Sequence, residues 1–400
     1  MTLLDPNLFL NSPNPWPMAP ARSASEPEPL ALDLILKGAR SLNLPALERL
    51  LWWGLSQDLS DLVLVPGQPP WLRRHGVFKA VGGRAISGEE TQELLKDMTS
   101  NEAAAAIVGS GQDLDFGFEI GERDRKKRFR GNATAMTYGR ATGIAIALRA
   151  IPGRPPALSD LNLEPELIKN LFPADGLVLV TGVMGSGKST LLAATLRNLA
   201  ETYGRHVATY EEPVEFDLTD PRDLKGPVEQ TEIPTHLPSF RLAPRNAARR
   251  AADVVFLGES RDREALKSLI EAAGLGVTAY TTAHTRGVAE TPLRLINLFE
   301  PRERPAMAAE LLSALRLIVQ QRLYPKVGGG RVAAREFLAL NAKDRRELQR
   351  TPLPELEGAL TQMLLTKGQT LMDRVKALSD QGLIAREIAD SLARERGVRL

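Results

Sequence analysis

The chain has no cysteine among its 400 residues. That absence excludes disulfides, thiolate metal centres and thiol catalysis, and it suits a reducing compartment. Charge of one sign is also lacking: 51 Lys and Arg against 49 Asp and Glu leave a formal +2. So slight an excess provides no overall field toward nucleic acid or anionic lipid, and any basic contact must be local. No apolar run approaches the about 18 residues that a membrane helix needs, and no basic residue precedes Arg22. The expectation is therefore a cytoplasmic protein whose contact with a membrane is peripheral. Aromatic residues are scarce at 5%, but 43% hydrophobic content over this length can fill a core in each of two or three domains.

What is present divides the chain. Residues 1–30 hold Pro6, Pro13, Pro15, Pro17, Pro20, Pro27 and Pro29, a composition expected to form a disordered arm, in which Phe9 and Trp16 are read as part of a loose tail rather than as a partner-binding anchor. Residues 31–150 read as a small α+β domain. Leu62 and Leu64 before Pro66-Gly67 mark one strand, and Trp71, His75 and Val77 a second. Leu114, Phe116, Phe118 and Ile120 alternate with polar or small neighbours, as on a sheet with one wet face, while residues 88–108 have helical spacing. Pro152, Pro155, Pro156, Pro165 and Pro173 mark a linker over 151–175. Residues 176–345 change style, with the apolar runs Leu177-Val178-Leu179-Val180, Val207 to Tyr210, Val254 to Leu257 and Val277 to Thr282 expected as parallel strands buried on both faces of a doubly wound sheet. Leu311, Leu312, Leu315, Ile318, Val319 and Leu323 suggest an amphipathic helix, and residues 346–400 form a helical end around Gly382.

The sharpest signal is Gly182-Val183-Met184-Gly185-Ser186-Gly187-Lys188-Ser189, which fits G-x-x-x-x-G-K-[ST] between a buried strand and a helix. Glycines let backbone N–H groups turn inward around a phosphate, and the helix N-terminus adds positive potential. Lys188 is placed to reach β- and γ-oxygens, Ser189 to ligate Mg²⁺, and Thr190 to cap or touch the α-phosphate. The expected cofactors are ATP and Mg²⁺. A plain strand-to-helix turn has no need of Lys188. Val254-Val255-Phe256-Leu257-Gly258-Glu259 ends an apolar strand in a carboxylate, which suits a metal-linked or water-polarising acid, although many buried strands end so. Tyr210-Glu211-Glu212-Pro213 delivers paired acids, with Glu211 the candidate general base; taken alone it would equally be a solvated acidic loop. His284, after a strand, taken alone suggests a structural hydrogen-bonder and no metal site.

In this order the boxes resemble the secretion-superfamily ATPases, motors of type II secretion, type IV pili and type IV secretion. The match is carried by the phosphate loop, the acidic box over residues 209–216, the strand ending in Glu259 and the histidine box over residues 281–285. Ser60-Asp61-Leu62, Arg128-Phe129-Arg130-Gly131-Asn132-Ala133, Leu148-Arg149-Ala150-Ile151-Pro152 and Gln320-Gln321-Arg322-Leu323 support it. Pro238-Ser239-Phe240, Tyr280-Thr281-Thr282 and Gly287-Val288-Ala289-Glu290-Thr291 are most similar to the pilus-retraction branch, especially DotB-like and TraJ-like ATPases of type IVB secretion and plasmid conjugation.

The resemblance implies a RecA-like core with a PAS-like N-terminal domain. It implies a homo-oligomer, a hexamer, that works with inner-membrane secretion or conjugation proteins. It also implies Glu211 as catalytic acid or base, Glu259 as second acid and Mg²⁺ partner, and His284 as γ-phosphate sensor. Arg130 and Arg149 would reach nucleotide from the mobile N-terminal domain, so that hydrolysis moves one domain against another. The sequence departs from the family pattern at Glu212, usually Asp; at Val277, usually His; at Arg249 to Asp253, which lacks an acid and a proline; and at Tyr138, usually Arg. The basic run of Arg123, Arg125, Lys126, Lys127, Arg128 and Arg130 raises a nucleic-acid motor as an alternative, but Phe129 is its only aromatic and the near-neutral total opposes it. A scaffold that binds nucleotide without turnover is the third reading.

Overall fold

The computed structural model describes residues 41–74, 77–82, 84–122, 125–151, 153–259 and 263–395. The expected arm with Phe9 and Trp16, and also His75, Arg123 and Pro152, lie outside the described residues. The N-terminal unit is built on an antiparallel sheet in the order β3-β2-β1-β6-β5-β4. Its strands are β1 Leu59–Leu64, β2 Trp71–Arg74, β3 Val77–Ala80, β4 Leu114–Glu122, β5 Arg125–Tyr138 and β6 Ala141–Ala150.

The alternation along β4 has the expected result, since Phe116, Phe118 and Ile120 are all buried. They join Phe129, Ile146 and Leu148 under the helices Leu44–Ser56, Gly88–Thr99 and Ala104–Gly109. The helical spacing over 88–108 is thus two helices. A capping box opens the first, with Ser87 Oγ accepting the Glu90 N–H at 3.1 Å and Glu90 accepting the Ser87 N–H at 2.7 Å, and left-handed Ser100 ends it. Gly131 is required by packing, because a Cβ there would lie 2.3 Å from the Phe116 ring. Alternation along β5 then sends Arg128, Arg130 and Asn132 to the face opposite Phe129. The described part of the basic run, residues 125–130, lies on β5, where Lys126 bonds Glu119 at 2.7 Å and Arg128 lies 3.8 Å from Glu232.

The second sheet runs β13-β12-β7-β11-β10-β8-β9. It comprises β7 Gly176–Thr181, β8 Val207–Glu211, β9 Val228–Glu232, β10 Val254–Leu257, β11 Thr278–Ala283, β12 Leu315–Pro325 and β13 Arg331–Ala339. Six of these are parallel, and β13 pairs antiparallel on β12 at one edge. Separate apolar clusters cover its two faces, so β7, β8, β10 and β11 are buried at every residue. Complete burial of each of Leu177, Val178, Leu179 and Val180 contributes about 1.5–3 kcal/mol. This α/β layout is a RecA-like core.

The expected amphipathic helix over 311–323 is corrected. The helix Arg304–Ala314 stops, Leu315 turns extended, and the chain continues as β12 between β7 and β13. Residues from Leu317 to Gln321 are buried on both faces, so their apolar spacing carries no period-2 signal, and sheet pairing overrides the helical pattern. Of the stretch over 151–175, the helix Pro165–Asn170 buries Leu167, which packs with Leu171, Val178 and Val180. At the C-terminal end, Leu348, Leu356 and Leu360 join the main core, whereas Leu371, Val375 and Leu378 gather with Ala334 and Ile384 in a cluster of their own. Among the described residues, no helix is long and apolar enough to cross a membrane.

Candidate functional site

β7 ends in the glycine loop, and the helix Lys188–Thr202 begins as the loop closes. Gly182 has φ +145°, and a Cβ on it would come within 2.5 Å of the Gln321 carbonyl and 2.6 Å of Ser186 Oγ. Gly185 and Gly187 sit at φ +73° and +84°, a left-handed backbone that glycine adopts without strain. Lys188 is 7% exposed and donates to the carbonyls of Gly182 at 2.9 Å and Val183 at 3.2 Å. Burial pulls its pKa below the usual lysine value, and Glu259 and Glu215 oppose that shift. The Ser186 hydroxyl is buried with no protein partner. Cradle, cation and orphaned hydroxyl fit a polyphosphate at the start of a 15-residue helix.

The other boxes converge on the same cleft, of about 520 Å³. It is lined by Gly185, Ser186, Gly187, Lys188, Ser189 and Thr190 from the loop side; Gly182 shapes the turn from beneath and does not line it. Glu211 closes β8 and is buried, accepting from Thr209 Oγ1 at 2.6 Å and from Gln230 Nε2 at 3.0 Å. Desolvation pushes its carboxyl up to about 7 despite those bonds and a backbone N–H at Glu215, and the Glu215 charge adds to the rise. Such a carboxylate is matched to proton transfer near neutrality. Glu259 follows β10, and its Oε1 lies 2.9 Å from His284 Nε2, so the second acid and the histidine act as a pair. Glu212 lines the cleft too. Val277 packs against the main core and makes no polar side-chain contact there, as its side chain dictates.

From the N-terminal unit, Arg130 on β5 lies directly across from Arg149 on β6, and both line the cleft. Two cations side by side on a sheet are unfavourable without an anion. Asp61 supplies one, accepting from Arg149 Nε at 2.7 Å. Sequence reasoning did not single out Asp61 for that contact, nor Arg331 and Leu323 of the β12–β13 hairpin, which also line the cleft. Cross-strand register is the only signal that could have found them. It also missed the buried hydroxyl chain in which Thr285 Oγ1 donates to Thr181 Oγ1 at 2.7 Å and lies 2.6 Å from Thr291 Oγ1, tying the histidine box to β7.

Ser189 and Glu259 both face the cleft, and no cluster of three or more His, Asp or Glu residues able to hold a metal occurs among the described residues. A Mg²⁺ held by Ser189 and Glu259 would complete its oxygen shell from phosphate and water, as this ion prefers.

Comparison with known proteins gives the family and the fold. The model of the type II/IV secretion system protein family matches residues 135–350. The chain is 33% identical to the type IV pilus retraction ATPase PilT of Pseudomonas aeruginosa over 86% of its own length and 97% of that protein's. It resembles the ATPase DotB of Legionella pneumophila in structure, with a TM-score of 0.83 and 35% identity over 89% of this chain and 97% of that one. The pilus retraction motor PilT with bound ADP superposes with a TM-score of 0.74 and 31% identity over 87% and 96% of the two chains. The chain belongs to the type II/IV secretion system protein family and is one of its nucleotide-binding ATPases.

Proposed function

We propose that the chain is a ring-forming, Mg²⁺-dependent ATPase, a hexamer, that powers a type IVB-like secretion or conjugative-transfer apparatus from the cytoplasmic face of the inner membrane. The observation that carries this reading is the composite cleft, in which two arginines from the N-terminal unit face the phosphate loop and the two acids of the core. The similarity to DotB over 97% of its length favours the type IVB branch. The equally complete match to PilT favours a pilus-retraction motor as the second reading.

In the proposed mechanism the loop N–H groups and Lys188 hold the β- and γ-phosphates, moving the ammonium off the carbonyls of Gly182 and Val183. Mg²⁺ at Ser189 and Glu259 would neutralise phosphate charge. Glu211 orients a water and takes its proton as the water oxygen bonds the γ-phosphorus and the bond to ADP breaks. His284, held on Glu259, senses the γ-phosphate. Arg130 and Arg149 add positive charge that is released when phosphate leaves, so the N-terminal unit can part from the core. Nothing in this scheme requires nucleic acid.

The test pairs chemistry with physiology. Lys188→Ala should abolish both nucleotide binding and phosphate release, whereas Glu211→Gln should bind ATP and fail to hydrolyse it. A deletion strain complemented with either variant should lose conjugative transfer or effector export. Loss of twitching with transfer intact would move the assignment to pilus retraction, and wild-type turnover by Lys188→Ala would remove the phosphate role.

A further inference from the structure

Beneath the phosphate loop runs a chain of buried polar side chains that the ATPase scheme does not use. Gln321, on β12, is 3% exposed and donates from Nε2 to the Ser186 carbonyl at 2.8 Å. The same residue's carbonyl and amide are the atoms that a Cβ on Gly182 or on Gly187 would meet, at 2.5 and 2.9 Å. The backbone carbonyl of Gln321 thus crowds the loop at its entry, and its side-chain amide props the loop at its exit. Its Oε1 accepts from Nε of Arg335, which faces it across the antiparallel β12–β13 pair, at 2.8 Å.

Arg335 is 1% exposed, a costly place for a guanidinium. Its other nitrogens leave the loop altogether. They donate to the carbonyls of Leu161 at 2.9 Å and Asn162 at 3.2 Å, and to Glu164 Oε2 at 3.2 Å. These residues belong to the segment that leads from the N-terminal unit into the core. The second Glu164 oxygen lies 2.8 Å from Nε of Arg374 as an ion pair without hydrogen-bond alignment, and Arg374 sits on the helix Leu371–Asp380. The planar fork of arginine suits such multiple anchoring, which a lysine cannot reproduce.

We propose that Gln321 and Arg335 are positioning residues for ATP turnover, a relay that holds the Ser186-Gly187 turn in its phosphate-binding form and ties it to the interdomain segment at Leu161, Asn162 and Glu164. When that segment shifts as the N-terminal unit swings, the relay carries the shift to the loop, and nucleotide affinity follows domain position. Coupling through a contiguous polar chain is the physical basis, since each member is fixed by the next. The proposal rests on the phosphate role of the loop.

Full-length Gln321→Met, Gln321→Glu and Arg335→Lys are to be compared with wild type and with Lys188→Ala, using steady-state phosphate release, binding of a fluorescent ADP analogue and amide hydrogen exchange. Gln321→Met should raise KM for ATP about tenfold, the scale of one lost hydrogen bond under the loop, with kcat held within about twofold. Gln321→Glu retains the acceptor for Arg335 but sets a carboxylate under the phosphates, so its KM should rise further. Arg335→Lys should raise KM because Arg335 holds Gln321, which in turn holds the Ser186 carbonyl, and its effect should not add to that of Gln321→Met. Exchange should quicken in residues 182–189 and 161–164 together. A variant that merely loses folded protein lowers kcat and leaves KM unchanged; that pattern, or wild-type KM in both Gln321 variants, overturns the relay. Nucleotide binding retained by Lys188→Ala would instead overturn the loop assignment on which it rests.

Discussion

Below neutral pH the enzyme should lose activity because Glu211 becomes protonated. Its carboxyl is pushed up to about 7 by burial, with Glu215 adding to the rise and Thr209 and Gln230 limiting it. For a base that must be ionised, a pKa of about 7 leaves roughly one eleventh of the molecules active at pH 6 and ten elevenths at pH 8, so turnover should rise about tenfold over that interval. An ordinary glutamate with pKa near 4.3 would give almost no change.

Stability moves the other way. A carboxyl with its folded pKa raised binds more protons folded than unfolded, so its favourable contribution is complete below about pH 4.5 and is lost as pH climbs to about 7. The full difference, about 2.5 units, corresponds to roughly 3 kcal/mol. Glu211→Gln removes both effects, and at pH 8 it should be more stable than wild type while being catalytically dead. The assay is phosphate release from pH 5.5 to 9 beside urea unfolding of both proteins at pH 5 and 8. A flat rate between pH 6 and 8, or a residual rate in Glu211→Gln with the wild-type pH slope, would refute the assignment of the base.

Two further substitutions probe the scaffold. Gly182→Ala should cost nucleotide binding and lower the melting temperature, because the new methyl meets the Gln321 carbonyl and the Ser186 hydroxyl within 2.6 Å on a backbone at φ +145°; a wild-type affinity for ADP would contradict the packing described. Phe129→Ala empties a fully buried site between Phe118 and the helices of the N-terminal unit and should destabilise it by about 3–5 kcal/mol, seen as early loss of exchange protection in residues 114–150 with the core sheet still protected.

How far the sequence could be read depended on whether a feature was local. The phosphate loop announces itself because its chemistry needs consecutive residues, and β10 ends where the apolar run ends, at Leu257. The alternation of β4 was legible for the same reason. β12 was not, since Leu315, Ile318 and Leu323 satisfy a helical spacing that only pairing with β7 and β13 overrides. Glu211 could be named from its box, yet nothing local foretold its burial against Thr209 and Gln230, the latter contributed by a strand 19 residues on.

What the sequence by itself determined was the inventory: a loop that must bend around phosphate, a lysine with no other use there, and strands apolar enough to be covered on both faces. The tertiary structure alone decided which distant side chains meet. Arg130 faces Arg149 by antiparallel register, Gln321 reaches Ser186 across 135 residues, and Arg335 grips residues more than 170 positions earlier. Such contacts follow from which strands lie side by side, and strand order is settled by burial of the whole sheet rather than by any residue's neighbours in the chain.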